Sequence, residues 1–336
     1  MIVVFEPSAT KEQVEKVFLR LQEWGFTPVL QESDQVSIAI TGDSSALKTE
    51  TLEAFDGVQK AVRLNQPYKL VAREFKPEGT IIDIDGVKIG GKNFTMIAGP
   101  CSAESEEQLL ATAHAVKKSG AKILRAGIYK PRTSPYEFQG VGEKGLPWLE
   151  KAKDLTGLPI CTEVMDPKVL DKVKDVVDIY QVGARNMQNY DLLRELGKTK
   201  KPILLKRGLS ATLKELLLAA EYIMSSGNHD VMLCERGIRT YETATRFTLD
   251  VGAVPVLRHD THLPIIVDPS HAAGKRALVG ALAKAGLAAG ADGLIVETHP
   301  DPERAWSDAA QQLTFDQFDK LMQELDPIVK AVGRKS

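Results

Sequence analysis

Eleven residues with chemical capability stand directly behind eight short apolar runs. Cys101 follows the first run, Arg125 and Lys130 the second, Glu163 the third, Gln181 and Arg185 the fourth, Lys206 the fifth and Arg236 the sixth. Asp268 and His271 follow the seventh, and Glu297 the eighth. Surface solvation does not deal out such groups one set per run, whereas a catalytic site does. Five of them, Arg125, Lys130, Arg185, Lys206 and Arg236, are cations that would repel one another if brought together. A ligand with several negative charges resolves that conflict, because Arg forks and Lys ammonium groups neutralise phosphate and carboxylate oxygens through charge-assisted hydrogen bonds. For any single cation the plain alternative is an ion pair with Glu163, Glu235, Glu143 or another carboxylate.

Cys101, His271 and Glu297 raise a second possibility. Taken singly, Cys101 reads as a buried apolar cysteine, and His271 as a general base or a packed histidine. Behind the first, seventh and eighth runs of a sheet that closes on itself, the three become neighbours able to share one metal ion. Asp308, further along in THPDPERAWSD, is within reach as a fourth ligand, although spacing alone does not single it out. Sulfur, nitrogen and carboxylate oxygen together favour a borderline divalent ion of the Mn, Fe, Co or Zn class over Mg or Ca.

The elements that must position these residues are legible as runs. FTMIAGP at 94, KILRAG at 122, LPICTEV at 158, DIYQVG at 178, PILLKRG at 202, HDVMLCERG at 229, LPIIVDPSH at 263 and DGLIVETH at 292 alternate with helical stretches. Eight strand and helix units over about 250 residues predict an α/β fold, a (β/α)8 TIM barrel, whose active face lies at the strand carboxyl ends. An open doubly wound sheet is the alternative, but it seldom needs eight parallel strands. Ahead of the barrel, Ile2 to Phe5 reads as a strand. Thr10 and Gln13 have capping-box spacing before a helical face of Val14, Val17, Phe18, Leu21 and Trp24. Val36, Ile38 and Ile40 alternate after the polar turn 31–35, and a second helix leads to Val58, Val62 and Leu64. The order βαββαβ predicts a small ferredoxin-like domain. The expected organisation is that domain over 1–66, a linker over 67–79 marked by Pro67, Pro77 and Gly79, and the barrel over 80–336, opened by a hairpin around Asp85-Gly86.

The 336 residues are 43% hydrophobic and 26% charged, a balance that excludes disordered and low-complexity classes. A formal charge of -2 gives no global basic field, so nucleic acid is not the expected partner. Three widely spaced cysteines, Cys101, Cys161 and Cys234, do not form a disulfide framework, and a reducing cytoplasm is expected. Cys161 and Cys234 lie inside strand patterns and read as core. MIVVFEPSAT lacks a basic flank, so no secretory signal is expected. The stretch 277–296 is interrupted by Lys284 and Asp292, and no membrane span is expected. Tyr136, Phe138, Trp148 and Trp306 are candidates for the mouth or for packing.

Seven motifs together resemble the 3-deoxy-D-arabino-heptulosonate 7-phosphate (DAHP) synthase family. They are GPCSAES (99–105), RAGIYKPRTSPYEFQG (125–140), VGARN (182–186), LKRG (205–208), CERG (234–237), VDPSHAAGKR (267–276) and VETHPDPERAWSD (296–308). The likeness covers essentially the whole chain and is to the type Iβ group, whose barrel carries an amino-terminal ferredoxin-like regulatory domain. It implies metal-dependent condensation of phosphoenolpyruvate with erythrose 4-phosphate, the first step of the shikimate pathway. It further implies that Cys101, His271, Glu297 and Asp308 bind the metal, and that Arg125, Lys130, Arg185, Lys206 and Arg236 hold phosphoenolpyruvate. Arg132, Thr133 and Ser134 would bind erythrose 4-phosphate, with Asp268 and Gln181 nearby. Lys130 is implied as general acid, and Glu163 or a metal-bound water as base. A homotetramer is implied too, with feedback by Tyr or Phe that closes or blocks a neighbouring barrel. Two alternatives stand beside this reading: a KDO 8-phosphate synthase using arabinose 5-phosphate, against which Pro131 speaks, and a silent ligand-sensing barrel, against which the intact ligand set speaks.

Overall fold

The computed structural model describes every residue except Ser33, Asp34, Asn65 and Ser336, so part of the expected polar turn 31–35 lies outside the described residues. The chain forms two compact units, one of residues 1–80 with 258–262, the other of 81–257 with 263–336.

In the first unit, β1 (Ile2–Phe5), α1 (Lys11–Glu23), β2 (Thr27–Gln31), β3 (Ser37–Thr41), α2 (Thr49–Glu53) and β4 (Val58–Val62) follow the expected βαββαβ order. The sheet runs β2-β3-β1-β4 and every pairing is antiparallel, as a ferredoxin-like split βαβ arrangement requires. Helix α1 starts where the capping box places it. Thr10 Oγ1 accepts from Gln13 N at 3.3 Å, and Gln13 Oε1 accepts from Thr10 N at 2.9 Å, satisfying two end donors and contributing about 1 kcal/mol. Val14, Val17 and Leu21 then face Val3, Phe5, Ile38 and Ile40 in one core. The stretch 67–79 is itself folded: Tyr68, Leu70, Val71 and Phe75 are buried, Arg73–Phe75 forms a 3-10 turn, and the unit extends to Thr80.

The second unit opens with a hairpin, β5 (Ile82–Ile84) and β6 (Val87–Ile89), turned by Asp85 at φ 50° and Gly86 at φ 87°. Those paired positive angles are the type I′ turn that Asp-Gly favours. The barrel follows as β7 (Thr95–Gly99), α3 (Glu106–Lys118), β8 (Ile123–Arg125), α4 (Leu146–Thr156), β9 (Ile160–Glu163), α5 (Leu170–Val173), β10 (Ile179–Val182) and α6 (Tyr190–Gly197). It continues through β11 (Ile203–Lys206), α7 (Leu213–Ser225), β12 (Val231–Glu235), α8 (Ala253–Asp260), β13 (Ile265–Val267), α9 (Pro269–Ala273), α10 (Arg276–Ala288), β14 (Gly293–Glu297) and α11 (Phe315–Ala331). The eight strands pair in parallel and close, β14 lying against β7 from Gly293↔Thr95 to Glu297↔Gly99. Ile97, Ile123, Ile179, Leu204, Ile266 and Ile295 pack with Cys161 and Cys234 inside the barrel, against Ile82, Ile84 and Ile89 of the hairpin. The hairpin therefore plugs the amino-terminal end, and the polar strand ends face the other way. Among the described residues, no helix is long and apolar enough to cross a membrane.

Candidate active site

Closure of the sheet sets β13, β14 and β7 side by side, and the three residues expected to share a metal arrive together. Glu297 is the last residue of β14, Cys101 follows β7, and His271 lies in α9 after β13. Asp268 caps α9, its Oδ1 accepting from His271 N at 3.0 Å, so the histidine is fixed one turn from the strand end. His271 Nε2 lies 3.5 Å from Glu297 Oε1 and 3.5 Å from Asp308 Oδ2. Cys101 Sγ is 3.6 Å from the same Asp308 oxygen, and ligand atoms of Cys101, Glu297 and Asp308 all fall within 4.8 Å of one another. Asp308 comes in from a loop containing only the 3-10 turn Pro302–Arg304, and its φ of 48° reflects the tight bend that points it inward. Cys101, Glu297 and Asp308 form the compact group, His271 Nε2 lies against both carboxylates beside it, and a donor set of sulfur, nitrogen and carboxylate oxygen fits a borderline divalent ion.

The electrostatics suit such an ion. Burial opposes the charge on Glu297, yet His271, Arg125 and Lys130 hold its carboxyl below the usual carboxylate range. Burial also opposes the charge on Asp268, and His271 and Lys206 hold it well below that range. The Cys101 thiol is pushed up to about 12, first by burial and then by the Glu297 charge. It is therefore a thiol at neutral pH until a cation displaces its proton.

Beside this cradle opens a cavity of about 180 Å³ walled by the expected cations Arg125, Lys130, Arg185, Lys206 and Arg236. Among the described residues none of the five forms an ion pair with Glu163, Glu143 or Glu235, Glu143 binding Lys172 and Glu235 binding Arg207 at 2.7 Å; the plain alternative holds for Arg125 and Lys206 through other carboxylates. Arg125 Nη1 instead donates to Glu297 Oε1 at 2.5 Å, and Lys206 Nζ to Asp268 Oδ2 at 2.7 Å. Lys130 Nζ donates to Cys101 O at 3.2 Å, Arg185 Nη2 to Thr133 Oγ1 at 3.2 Å, and the Arg236 guanidinium sits 4.1 Å over the Phe247 ring. Arg132 and Thr133 line the same cavity, with Arg132 Nε donating to Glu137 Oε2 at 2.5 Å. Ser134 does not reach it: its hydroxyl accepts from Tyr136 N within its own loop. Glu163 and Gln181 meet at the wall, Gln181 Nε2 donating to Glu163 Oε2 at 3.3 Å, while Glu163 Oε1 is buried with no partner among the described residues. Asp268 stands behind the wall, its Oδ2 2.8 Å from His271 Nδ1 in a contact off hydrogen-bond alignment.

Sequence reasoning passed over Arg246, Phe247, Gly183, Gln311 and Gln312. Arg246 and Phe247 sit on a flap after β12, tied by the Ile238↔Thr248 bridge, where no strand end marks them. Gln311 and Gln312 follow Asp308 and carry no charge to draw attention. Of the aromatic candidates, Phe138 and Trp306 meet edge to face at 5.0 Å, whereas Tyr136 is exposed and Trp148 is half-buried on α4.

Comparison with known proteins points one way. Residues 71–331 match the DAHP synthetase I family, and residues 1–66 match the DAHP synthase ferredoxin-like domain. A phospho-2-dehydro-3-deoxyheptonate aldolase of Thermotoga maritima is 50% identical over 336 residues, covering 100% of this chain and 99% of that one. A crystal structure of a phospho-2-dehydro-3-deoxyheptonate aldolase (DAHP synthase) from Thermotoga maritima superposes with TM-score 0.79 at 49% identity, covering 99% of this chain and 98% of that one. A truncated form of 3-deoxy-D-arabino-heptulosonate 7-phosphate synthase from the same organism covers 79% of this chain and 98% of its own, with TM-score 0.74 at 52% identity. A 2-dehydro-3-deoxyphosphooctonate aldolase of Nitrosococcus oceani is 32% identical, over 75% of this chain and 95% of its own.

Proposed function

The chain belongs to the DAHP synthetase I family, and from that premise we propose how its residues divide the work of the reaction. The enzyme condenses phosphoenolpyruvate with erythrose 4-phosphate and water to give DAHP and phosphate, the first step of the shikimate pathway. The observation that carries the division of labour is the contact between two features: a thiol, imidazole and two-carboxylate cradle, and a cation-walled cavity that shares His271 and Asp308 with it.

Arg125, Lys130, Arg185, Lys206 and Arg236 hold the phosphate and carboxylate of phosphoenolpyruvate. Three of them, Arg125, Lys206 and Arg236, are nearly sealed from water, where a charge-assisted hydrogen bond gains most. Arg132 and Thr133, nearer the rim, hold the phosphate and hydroxyls of erythrose 4-phosphate, and Ser134 supports them by shaping the loop. Cys101, His271, Glu297 and Asp308 bind one divalent ion, which when present supplies Lewis acidity to the aldehyde oxygen. Clamping both substrates brings the enol methylene carbon to the aldehyde carbon, and most of the advantage lies in that orientation. As the carbon-carbon bond forms, the aldehyde oxygen gains charge and takes a proton from Lys130. Burial opposes the Lys130 ammonium and Arg125 adds to that, but Cys101 in its thiolate form and the carboxylates Glu163 and Glu297 outweigh them and hold its proton above the usual lysine value. Such a proton passes only to a strong base, which the developing alkoxide is. Water then attacks the phosphate-bearing carbon. Glu163 accepts that water's proton through Oε1, the oxygen Gln181 leaves free. The carbon-oxygen bond to phosphate breaks as the hemiketal hydroxyl becomes the ketone carbonyl, and phosphate takes that hydroxyl's proton and departs among the cations.

Residues 1–66 serve as a regulatory module for a free aromatic amino acid, Tyr or Phe. Supporting this, that unit has a cavity of about 670 Å³ with apolar Val14, Phe18, Leu30 and Val36 beside Lys11, Glu15 and Glu32. An apolar wall flanked by one cation and two carboxylates complements an aromatic zwitterion. The family likeness further suggests a cytoplasmic homotetramer. Full-length likeness to the heptonate aldolase, against partial likeness to the octonate aldolase, favours the four-carbon sugar. The test is to mix phosphoenolpyruvate with erythrose 4-phosphate or arabinose 5-phosphate, with and without chelator, and follow loss of enol-ether absorbance. Loss with erythrose 4-phosphate alone, stopped by chelator, is expected; equal loss with arabinose 5-phosphate, or indifference to chelator, overturns the reading.

A further inference from the structure

The loop that delivers Asp308 runs directly into two glutamines, both buried, and every polar atom of their side chains is engaged. Gln311 Oε1 accepts from Arg246 Nη1 at 3.0 Å. Its Nε2 donates to Glu297 Oε2 at 2.6 Å and to Asp308 Oδ2 at 3.3 Å. A guanidinium can only donate and an ionised carboxylate can only accept, so these partners leave the carboxamide a single orientation. Arg246 reinforces it, since its Nη1 also lies 3.2 Å from Asp308 Oδ1. Gln312 works on the opposite side. Its Oε1 accepts from Cys101 N at 3.1 Å and its Nε2 donates to Ser307 O at 2.8 Å.

We propose that Gln311 is a positioning residue of the metal cradle, its amide nitrogen tying Glu297 and Asp308 into one chelating pair. The inference rests on the reading of Cys101, His271, Glu297 and Asp308 as a divalent-ion site. Two carboxylates brought to one ion site repel each other, and Asp308 sits on an irregular loop, not on a strand or helix that would fix it. A shared N–H donor offsets the repulsion and fixes the loop side of the pair. It also occupies Oε2 of Glu297, so that Oε1, which accepts from Arg125 Nη1 at 2.5 Å and lies 3.5 Å from His271 Nε2, is the oxygen on the cradle side. Arg246, which lines the substrate cavity, sets the amide's direction and so links the cavity wall to the ligand pair.

Gln311→Met tests this, keeping length and volume while removing donor and acceptor. Cobalt(II) and manganese(II) affinities of the full-length protein are measured by competition with a chromogenic chelator, together with the thiolate-to-cobalt absorption band. Phosphoenolpyruvate affinity of the metal-free protein is measured alongside. The expected result is a Kd for both ions raised roughly ten- to hundredfold, as for other groups that orient metal ligands, with phosphoenolpyruvate affinity lowered by much less, since only the Gln311 hold on Arg246 at the cavity wall is lost. Gln311→Asn, with the same groups on a shorter stem, should fall between Met and wild type, and it carries the test if the Met variant does not fold. Wild-type ion affinity in Gln311→Met overturns the inference, as does equal loss of ion and phosphoenolpyruvate binding, which marks a general structural defect. A wild-type protein that binds phosphoenolpyruvate but neither ion overturns the metal-site reading itself, and the inference with it.

Discussion

Dividing the cations between two phosphorylated substrates predicts opposite kinetic signatures for Arg236→Ala and Arg132→Ala. Arg236 is 4% exposed, stacks on Phe247 and has no carboxylate partner among the described residues, so its charge is offered to the ligand. Burial lowers the pKa of this guanidinium, as expected for a cation lacking a partner in the free enzyme. A charged hydrogen bond is worth about 1.5 to 3 kcal/mol, and such a sheltered one belongs toward the upper value. At about 1.4 kcal/mol per factor of ten, Arg236→Ala should raise KM for phosphoenolpyruvate about 30- to 150-fold. Arg132 is more open and already shares its Nε with Glu137, whose side chain is 45% exposed. Solvent screening puts its contribution near the lower value, about tenfold in KM for erythrose 4-phosphate. Each constant is measured with the other substrate saturating, from the rate of enol-ether loss. If both variants weaken the same substrate, the division is wrong. If Arg132→Ala proves the more damaging, the burial argument behind the magnitudes fails.

Cys101→Ala should abolish turnover and leave the dialysed protein without divalent metal; full activity after exhaustive EDTA treatment would refute the metal role. Gly183→Ala should test Glu163, because a Cβ there would collide with Glu163 Oε1, the free end of a flexible side chain that can yield without unfolding the barrel. We expect kcat to fall about a hundredfold, the lower value for losing a general base, with both KM values little changed; an undiminished kcat removes Glu163 from the mechanism. A chain starting near Phe75 should stay active and lose sensitivity to Tyr and Phe, whereas the intact chain should be inhibited by at least one at millimolar concentration, through a coupling of about 1 to 3 kcal/mol. Indifference of the intact chain refutes feedback by these amino acids.

The residues that sequence reasoning located best are those held by regular structure. A strand end fixes both the position and the direction of the next few side chains, so Cys101, Arg125, Glu163, Lys206 and Glu297 could be placed by counting runs, and strand closure made Cys101 and Glu297 neighbours. The α1 capping box and the Asp85-Gly86 turn were equally legible, because local hydrogen bonds and backbone angles determine them. Asp308 was different. Its place depends on an irregular loop with a positive φ, so spacing put it within reach but only the family likeness singled it out. Ser134 shows the limit of that likeness, since membership of a motif does not say which neighbour in a loop turns inward. Arg246, Gln311 and Gln312 were invisible for a related reason: their roles arise from tertiary partners more than sixty positions away for Arg246–Gln311 and more than two hundred for Cys101–Gln312, and no pattern of spacing encodes such meetings.

The packed barrel interior, closed below by the hairpin, makes the cation-walled cavity a blind pocket with one doorway. Cations inside it are graded by depth, from Arg125, Lys206 and Arg236, almost sealed, to Arg185 beside Thr133, exposed at the rim. In a dead-end corridor the guest that sits deepest must enter first and leave last. On the proposed division of the cations, traffic would be a queue: phosphoenolpyruvate ahead of the sugar phosphate on the way in, and the new sugar acid ahead of the inorganic phosphate on the way out.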